Sequence, residues 1–355
     1  MKVEGLNERR HELPAARLEL PPRLEQHRPI RLFERAKHEG RTLKIAAPMV
    51  RYSKLPFREL CRDYGTDVCY TPMILAKEFI RSNLARDMDF SSSSTDRPLI
   101  VQFGASNELD FARAAELVKP YCDGVDLNCG CPQTWAFGEG IGCKLMSYPE
   151  LVRDMVKAAK ERCGEEFSVS VKIRIHLNLQ ETVQWVKTVE SARPDYITVH
   201  GRRKTQRSSE PVNIEAVKLI KSIATVPVVL NGDVFSMGDV DRLVEATGVD
   251  GVMAARGLMT NPALFAGYNK TPWGAVERFL DYNMRSPLPF RFTLHHVSEI
   301  MESMLPRRER TQMIDSCKSI IELIDWLDQR FVLRRKGEEE FGERIEVERR
   351  IIHSK

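Results

Sequence analysis

The sequence predicts an α/β protein: a (β/α)8 TIM barrel followed by a small all-helical C-terminal domain. Three observations carry this. Between residues 43 and 268, eight short apolar runs alternate with amphipathic segments at helical spacing. That stretch of about 225 residues is the size of a closed barrel. Five of the runs end in polar side chains, where barrel sites are built. A doubly wound open sheet is the competing arrangement, and the recurrence of polar groups at so many strand ends favours the barrel.

Residues 1–42 are rich in Arg, Glu and Pro and read as a charged, solvated extension outside the main core. Strand candidates are Lys44–Met49, Asp67–Thr71, Leu99–Gly104, Gly124–Cys129, Ser168–Ile175, Tyr196–His200, Val226–Asn231 and Gly251–Ala255. Segments such as Glu108–Lys119, Pro149–Cys163 and Asn213–Ile223 supply the helices between them. After Thr271, the segments Trp273–Met284, Phe292–Met304 and Arg308–Leu333 keep helical spacing with no strand between them. They predict a helical domain over 269–333. Residues 334–355, dominated by Glu and Arg, read as an exposed helix or disordered tail.

Composition bounds the function. Charged residues are 29% and hydrophobics 42%, an ordinary soluble balance. No apolar run approaches bilayer length, so no membrane partner is expected. The N-terminus has neither a signal-peptide apolar core nor transit-peptide composition. The formal net charge of +4 is mild, so a nucleic-acid surface would be a local patch. Eight scattered cysteines suit reduced thiols, hence a cytoplasmic or nuclear location.

The most informative stretch is GVDLNCGCP, Gly124–Pro132. A buried strand ends in Asn128, two glycines and Cys131. A thiol at a strand end beside an amide is a candidate for chemistry, and an unperturbed thiol, with a pKa near ~8.5, suits proton donation better than attack. A buried structural thiol is the plain alternative. A metal site using Cys129, Cys131 and Cys143 lacks paired spacing and a nearby ligand histidine, so no metal is expected. The loops Asn231-Gly232-Asp233 and Ala255-Arg256-Gly257 follow the seventh and eighth strands, where barrels often hold a phosphate. Each alone would pass for a turn and a surface charge; together they imply a phosphate-bearing cofactor. Lys172 lies mid-strand among Val171, Ile173 and Ile175. An inward cation there would suit a reduced flavin, and Gln102 could bond the same ring.

APMVRYSKLPFR, VQFG, VDLNCGCPQ, GEGIGCKLM, VKIRI, VHGR, NGD and AARG occur in the order found in tRNA-dihydrouridine synthases. The chain resembles that family from about Ala46 to Leu333. WAFGEGIG, MAARGLMTNPALFAGY and the short helical domain look most like its eukaryotic branch acting on D-loop uridines 20a and 20b. The resemblance implies an FMN-dependent barrel with a tRNA-binding helical domain, using NADPH or NADH. It implies hydride delivery to uracil C6 and a proton from Cys131 to C5. Asn128 matches the uracil-contacting asparagine, and Arg174 and Arg202 are further substrate-binding candidates. Pro48, Met49 and Val50 match the loop under the flavin. Gln102, Lys172, His200, Asn231, Gly232, Asp233, Ala255 and Arg256 match its contacts. Arg307, Arg308, Arg310 and Lys318 are candidates for tRNA phosphates, with a solvated helix face as the plain reading. A monomer is expected. The rival functions are an FMN barrel acting on a small dihydroorotate-type molecule and an RNA-binding protein on an inactive barrel.

Overall fold

The computed structural model describes residues 24–350. Eight parallel strands form the barrel: β1 (Leu43–Ala46), β2 (Val68–Tyr70), β3 (Leu99–Gly104), β4 (Gly124–Cys129), β5 (Ser168–Arg174), β6 (Ile197–His200), β7 (Val228–Asn231) and β8 (Gly251–Ala254). Each pairs with the next, and β8 returns to β1 with Ile45 opposite Met253, which closes the cylinder. A two-residue strand, Ile74–Leu75, adds to the end of β3.

The alternation of side chains along each strand splits the apolar residues into two layers. Val125 and Leu127 of β4 point outward, under the helices Glu108–Val118 and Pro149–Cys163, as part of one continuous core. Ile45, Tyr70, Ile100, Tyr196, Val229 and Met253 fill the barrel interior as a separate cluster.

The interior is closed from below by a helix that the sequence places outside the core. Helix α1 (Pro29–His38) buries Leu32, Phe33 and Ala36 against the interior cluster. The Phe33 ring packs at a tilt of 55° to that of Tyr196 with centroids 5.2 Å apart. A Cβ on Gly251 would approach the Phe33 ring to 3.3 Å, so the small residue in β8 makes room for the plug. Residues 1–23 of the expected solvated extension lie outside the described residues, but its end is core. The charged composition hid three apolar residues at helical spacing.

Helix Trp273–Arg285 packs on the barrel helix Leu55–Asp63, with the Tyr282 hydroxyl donating to Asp63 at 2.6 Å. The helices Phe290–Ile300, Arg307–Ser316 and Ile320–Asp328 follow. Arg308–Leu333 is thus two helices rather than one. Ser319 caps the second, its hydroxyl accepting the Glu322 N–H. The described part of the expected exposed helix or disordered tail, 334–350, is neither a helix nor a free tail. This segment folds back along Trp273–Arg285, with the Trp273 N–H donating to the Ile345 carbonyl. The buried Glu277 carboxylate draws it in, accepting the N–H groups of Arg334 and Gly342 at 2.9 and 2.8 Å. Such anchors join residues far apart in sequence, so local composition cannot announce them.

Candidate active site at the barrel mouth

The C-terminal strand ends surround a cavity of about 220 Å³. Its walls include Pro48 and Val50 after β1, Gln102 of β3, Asn128 and Cys131 at β4, Lys172 and Arg174 of β5, His200 of β6, Asn231 of β7 and Ala255 after β8. Strand register explains the convergence: Asn128 lies opposite Lys172, Arg174 opposite His200, and His200 opposite Asn231. Ala47, Met73 and Gly130 also line it, and the sequence reading missed them. Met73 follows β2, so its position past a strand end was the available signal.

A chain of hydrogen bonds runs up one side. The Asp126 carboxylate accepts from Ser170 Oγ at 2.7 Å and Gln102 Nε2 at 2.8 Å. Gln102 Oε1 accepts from Asn128 Nδ2 at 2.8 Å. Asn128 Oδ1 then accepts the backbone N–H groups of Gly130 and Cys131 at 3.1 and 2.8 Å. Asn128 thereby shapes the turn that presents Cys131, and only its second Nδ2 proton is left for a ligand. Asp126 was not singled out from sequence, although its two-residue spacing from Asn128 puts both inside the barrel. Burial pushes its carboxyl up to about 6.

Cys131 is the one cysteine among the eight that is not buried. Its carbonyl accepts the Cys143 N–H at 2.9 Å, tying it to the glycine-rich loop. Gly142 there has φ +64, and a Cβ would fall 2.6 Å from the Cys131 carbonyl oxygen, so this position requires glycine. Burial pushes the Cys143 thiol up to about 11.

The opposite wall is cationic. Lys172 Nζ donates to Asn231 Oδ1 at 2.7 Å, and Asn231 Nδ2 donates to the Met253 carbonyl at 2.9 Å. Burial, then Arg174, pulls the lysine down to about 8. His200 is held down to about 2, first by burial and then by Lys172 and the surrounding arginines, so the ring is neutral. Its Nε2 faces the Arg202 guanidinium at 3.1 Å. Arginine can only donate, so the ring proton is assigned to Nδ1.

Arg202 departs from expectation. It is 2% exposed and bonds the Glu210 carbonyl, Asp233 and His200, so it does not meet a substrate. It fixes the loop after β7. That loop has Gly232 at φ +120 and Asp233 at φ +54. A non-glycine residue there is strained by about 1–3 kcal/mol. Arg202, the Val212 N–H at 2.9 Å and Arg256 at 3.5 Å hold the Asp233 carboxylate in place. Arg256 is exposed and lies over the Phe235 ring, 5.1 Å from its centroid. Met49, behind Pro48, packs on the core and does not line the cavity.

The helical domain divides its candidate cations. Arg307, Arg308 and Lys318 are exposed. Arg310 turns inward, donating to the Ser298 carbonyl at 3.3 Å and lying 3.6 Å from Glu302. It joins two helices and is not presented to a partner. Among the described residues no group of three or more His, Cys, Asp or Glu is placed to hold a metal ion, and no helix is long and apolar enough to cross a membrane.

A closed parallel barrel whose strand ends gather a thiol, amides and a lysine defines a (β/α)8 enzyme. Residues 45–351 match the dihydrouridine synthase family, and the chain belongs to it. It is 49% identical over 317 residues to a tRNA-dihydrouridine(20a/20b) synthase (NAD(P)+) of Schizosaccharomyces pombe, covering 89% of this chain and 96% of that one. A Saccharomyces cerevisiae protein of the same name is 45% identical, covering 88% and 86%. A human protein named tRNA-dihydrouridine(20a/20b) synthase (NAD(P)+)-like is 43% identical, covering 85% and 94%.

Proposed function

We propose that this protein reduces the C5–C6 bond of uridine in tRNA, at D-loop positions 20a and 20b, with FMN as bound cofactor. In the net reaction uridine, NAD(P)H and a proton give dihydrouridine and NAD(P)+. The carrying observation is the accessible Cys131 thiol beside a cavity lined by Lys172 and Arg174 and, among the described residues, by no acidic side chain.

That donor set fits FMN. Lys172, Gln102, His200 and Asn231 would hold its ring system. The Gly232–Asp233 turn and Arg256 would meet its phosphate. When bound, FMN supplies hydride transfer between NAD(P)H and the base. Lys172 favours negative charge in the cavity, and neutral His200 offers an Nδ1 proton. Cys131 Sγ holds the proton destined for uracil C5. Asn128 orients the base with its remaining Nδ2 proton while fixing the cysteine turn. Arg174 donates to the Gly130 and Arg203 carbonyls at 2.9 Å, which sets the rim the base must pass. The exposed cations of the helical domain are read as tRNA phosphate contacts. The reduced thiols fit work in the cytoplasm or nucleus.

The test is to incubate flavin-loaded protein with NADPH and unmodified tRNA, then map dihydrouridine by mass spectrometry. Formation at 20a and 20b is expected. No dihydrouridine at any position would refute the reading, and formation elsewhere would refute the positions alone.

A further inference from the structure

The short helix Thr134–Gly138 begins three residues after Cys131 and displays its large apolar residues to solvent. Trp135 is 47% exposed and Phe137 43%, with Ala136 between them buried as the anchor. Tyr148, beyond the glycine-rich loop, is 45% exposed. One exposed aromatic is ordinary; Phe137 and Tyr148, which share one lysine beside the glycine-rich loop, point to a binding surface.

The cations around them identify the occupant. Lys144 Nζ lies 4.9 Å from the Phe137 ring centroid and 5.4 Å from that of Tyr148. Lys204, from the loop after β6, reaches the same Phe137 ring at 5.5 Å. Two elements far apart in sequence thus bring ammonium groups onto one exposed ring. A second cavity of about 360 Å³, lined in part by Arg203 and Lys204, shares Arg174 with the site cavity. Flat rings bracketed by cations, continuous with a base-sized pocket, match the chemistry of unpaired RNA: bases stack on aromatic faces while cations take the phosphates. An apolar protein partner would not call for lysines over the rings.

We infer that Phe137 and Tyr148 form a stacking platform for the unpaired nucleotides flanking the base that enters the barrel, with Lys144 and Lys204 on their phosphates. The inference rests on the function proposed above and names how that site selects its substrate. An extruded uridine leaves its neighbours unstacked, and a platform that starts six residues from Cys131 restores that stacking. A uridine whose neighbours stay paired in a stem gains nothing from the platform.

The experiment measures binding of flavin-loaded protein to an unmodified tRNA transcript across a salt series, alongside dihydrouridine yield. Phe137→Ala is expected to weaken binding by roughly 5- to 150-fold, the range for removal of one stacked base, with the salt slope kept. Phe137→Tyr should restore most of it. Lys204→Ala should instead flatten the slope by about 0.7–0.9 for each phosphate it neutralises. Leu109→Ala, exposed on an outer helix, should match wild type. Flavin occupancy reports whether each mouth is intact, and Tyr148→Ala is the second variant. Wild-type affinity in both Phe137→Ala and Tyr148→Ala would overturn the platform, as would a loss that Phe137→Tyr shares in full. If those variants bind normally while wild type forms dihydrouridine, the platform alone falls. If wild type forms none from any tRNA, the reading beneath it falls as well.

Discussion

Asn128 Oδ1 accepts the Cys131 backbone N–H at 2.8 Å, so the amide closes the turn that lifts the thiol out of the core. The bond explains why Cys131, in the turn past β4, is accessible while Cys129, the last residue of that strand, is fully buried. Burial pushes the Cys129 thiol well above the ordinary thiol range.

Cys131→Ala should therefore keep its flavin yet lose tRNA reduction by ~10²–10⁴-fold, the usual worth of a positioned acid. Cys129→Ala and Cys143→Ala should retain far more. Single-turnover reduction of tRNA measures this, and near-normal turnover in Cys131→Ala would move the acid elsewhere.

Asp126 acts on the same turn through Gln102 and Asn128. Asp126→Ala removes both acceptors and should slow tRNA reduction by up to ~10²-fold, as expected for a misplaced reacting group. Asp126→Asn keeps an oxygen for Gln102 and can donate to Ser170 Oγ, so it should recover most of the rate. Equal loss in both variants would assign the effect to charge rather than positioning.

The lowered Lys172 value fixes a pH dependence. Its charge is lost as pH rises through about 8, so FMN uptake by flavin-free protein should weaken between neutral pH and pH ~9. Lys172→Met should bind weakly with a flat profile. Stability moves the other way. Between about 8 and the ordinary 10.5 the unfolded chain holds the extra proton, so this group adds stability as pH rises. An unchanged slope in Lys172→Met would exclude this lysine as the titrating group.

The exposed and the inward arginines of helix Arg307–Ser316 should separate experimentally. Arg307→Ala with Arg308→Ala should lower tRNA affinity and flatten its salt slope by roughly one unit for each phosphate no longer neutralised. Arg310→Ala should leave the slope alone and destabilise the fold by about 1 kcal/mol, because its bond to the Ser298 carbonyl is gone. Titrations at several salt concentrations and chemical denaturation distinguish them. A flattened slope in Arg310→Ala would contradict its inward assignment.

Phe33→Ala tests the barrel plug. Removing a buried phenylalanine should cost about 3–5 kcal/mol, read by urea denaturation. A cost within ~0.5 kcal/mol, typical of surface positions, would show that α1 is dispensable to the core.

The barrel was legible because its signals are local. Alternating apolar strands and amphipathic helices are dictated by the period of each element, and a parallel sheet of eight such units closes. GVDLNCGCP, VKIRI and NGD likewise carry their polar groups at fixed offsets from strand ends, which register then brings to one mouth. What the sequence left undetermined depends on interactions between distant residues. Arg202 is indistinguishable from Arg203 by type, yet Asp233 and Glu210 bury the first. Arg310 lies within a turn of Arg307 on the same helix, and only the neighbouring helix Phe290–Ile300 draws it inward. The α1 plug and the Glu277 anchor exist because a barrel floor and a helix flank await them. Periodicity determines which elements form; only the closed tertiary structure decides which charged side chains must give up water and for which partner.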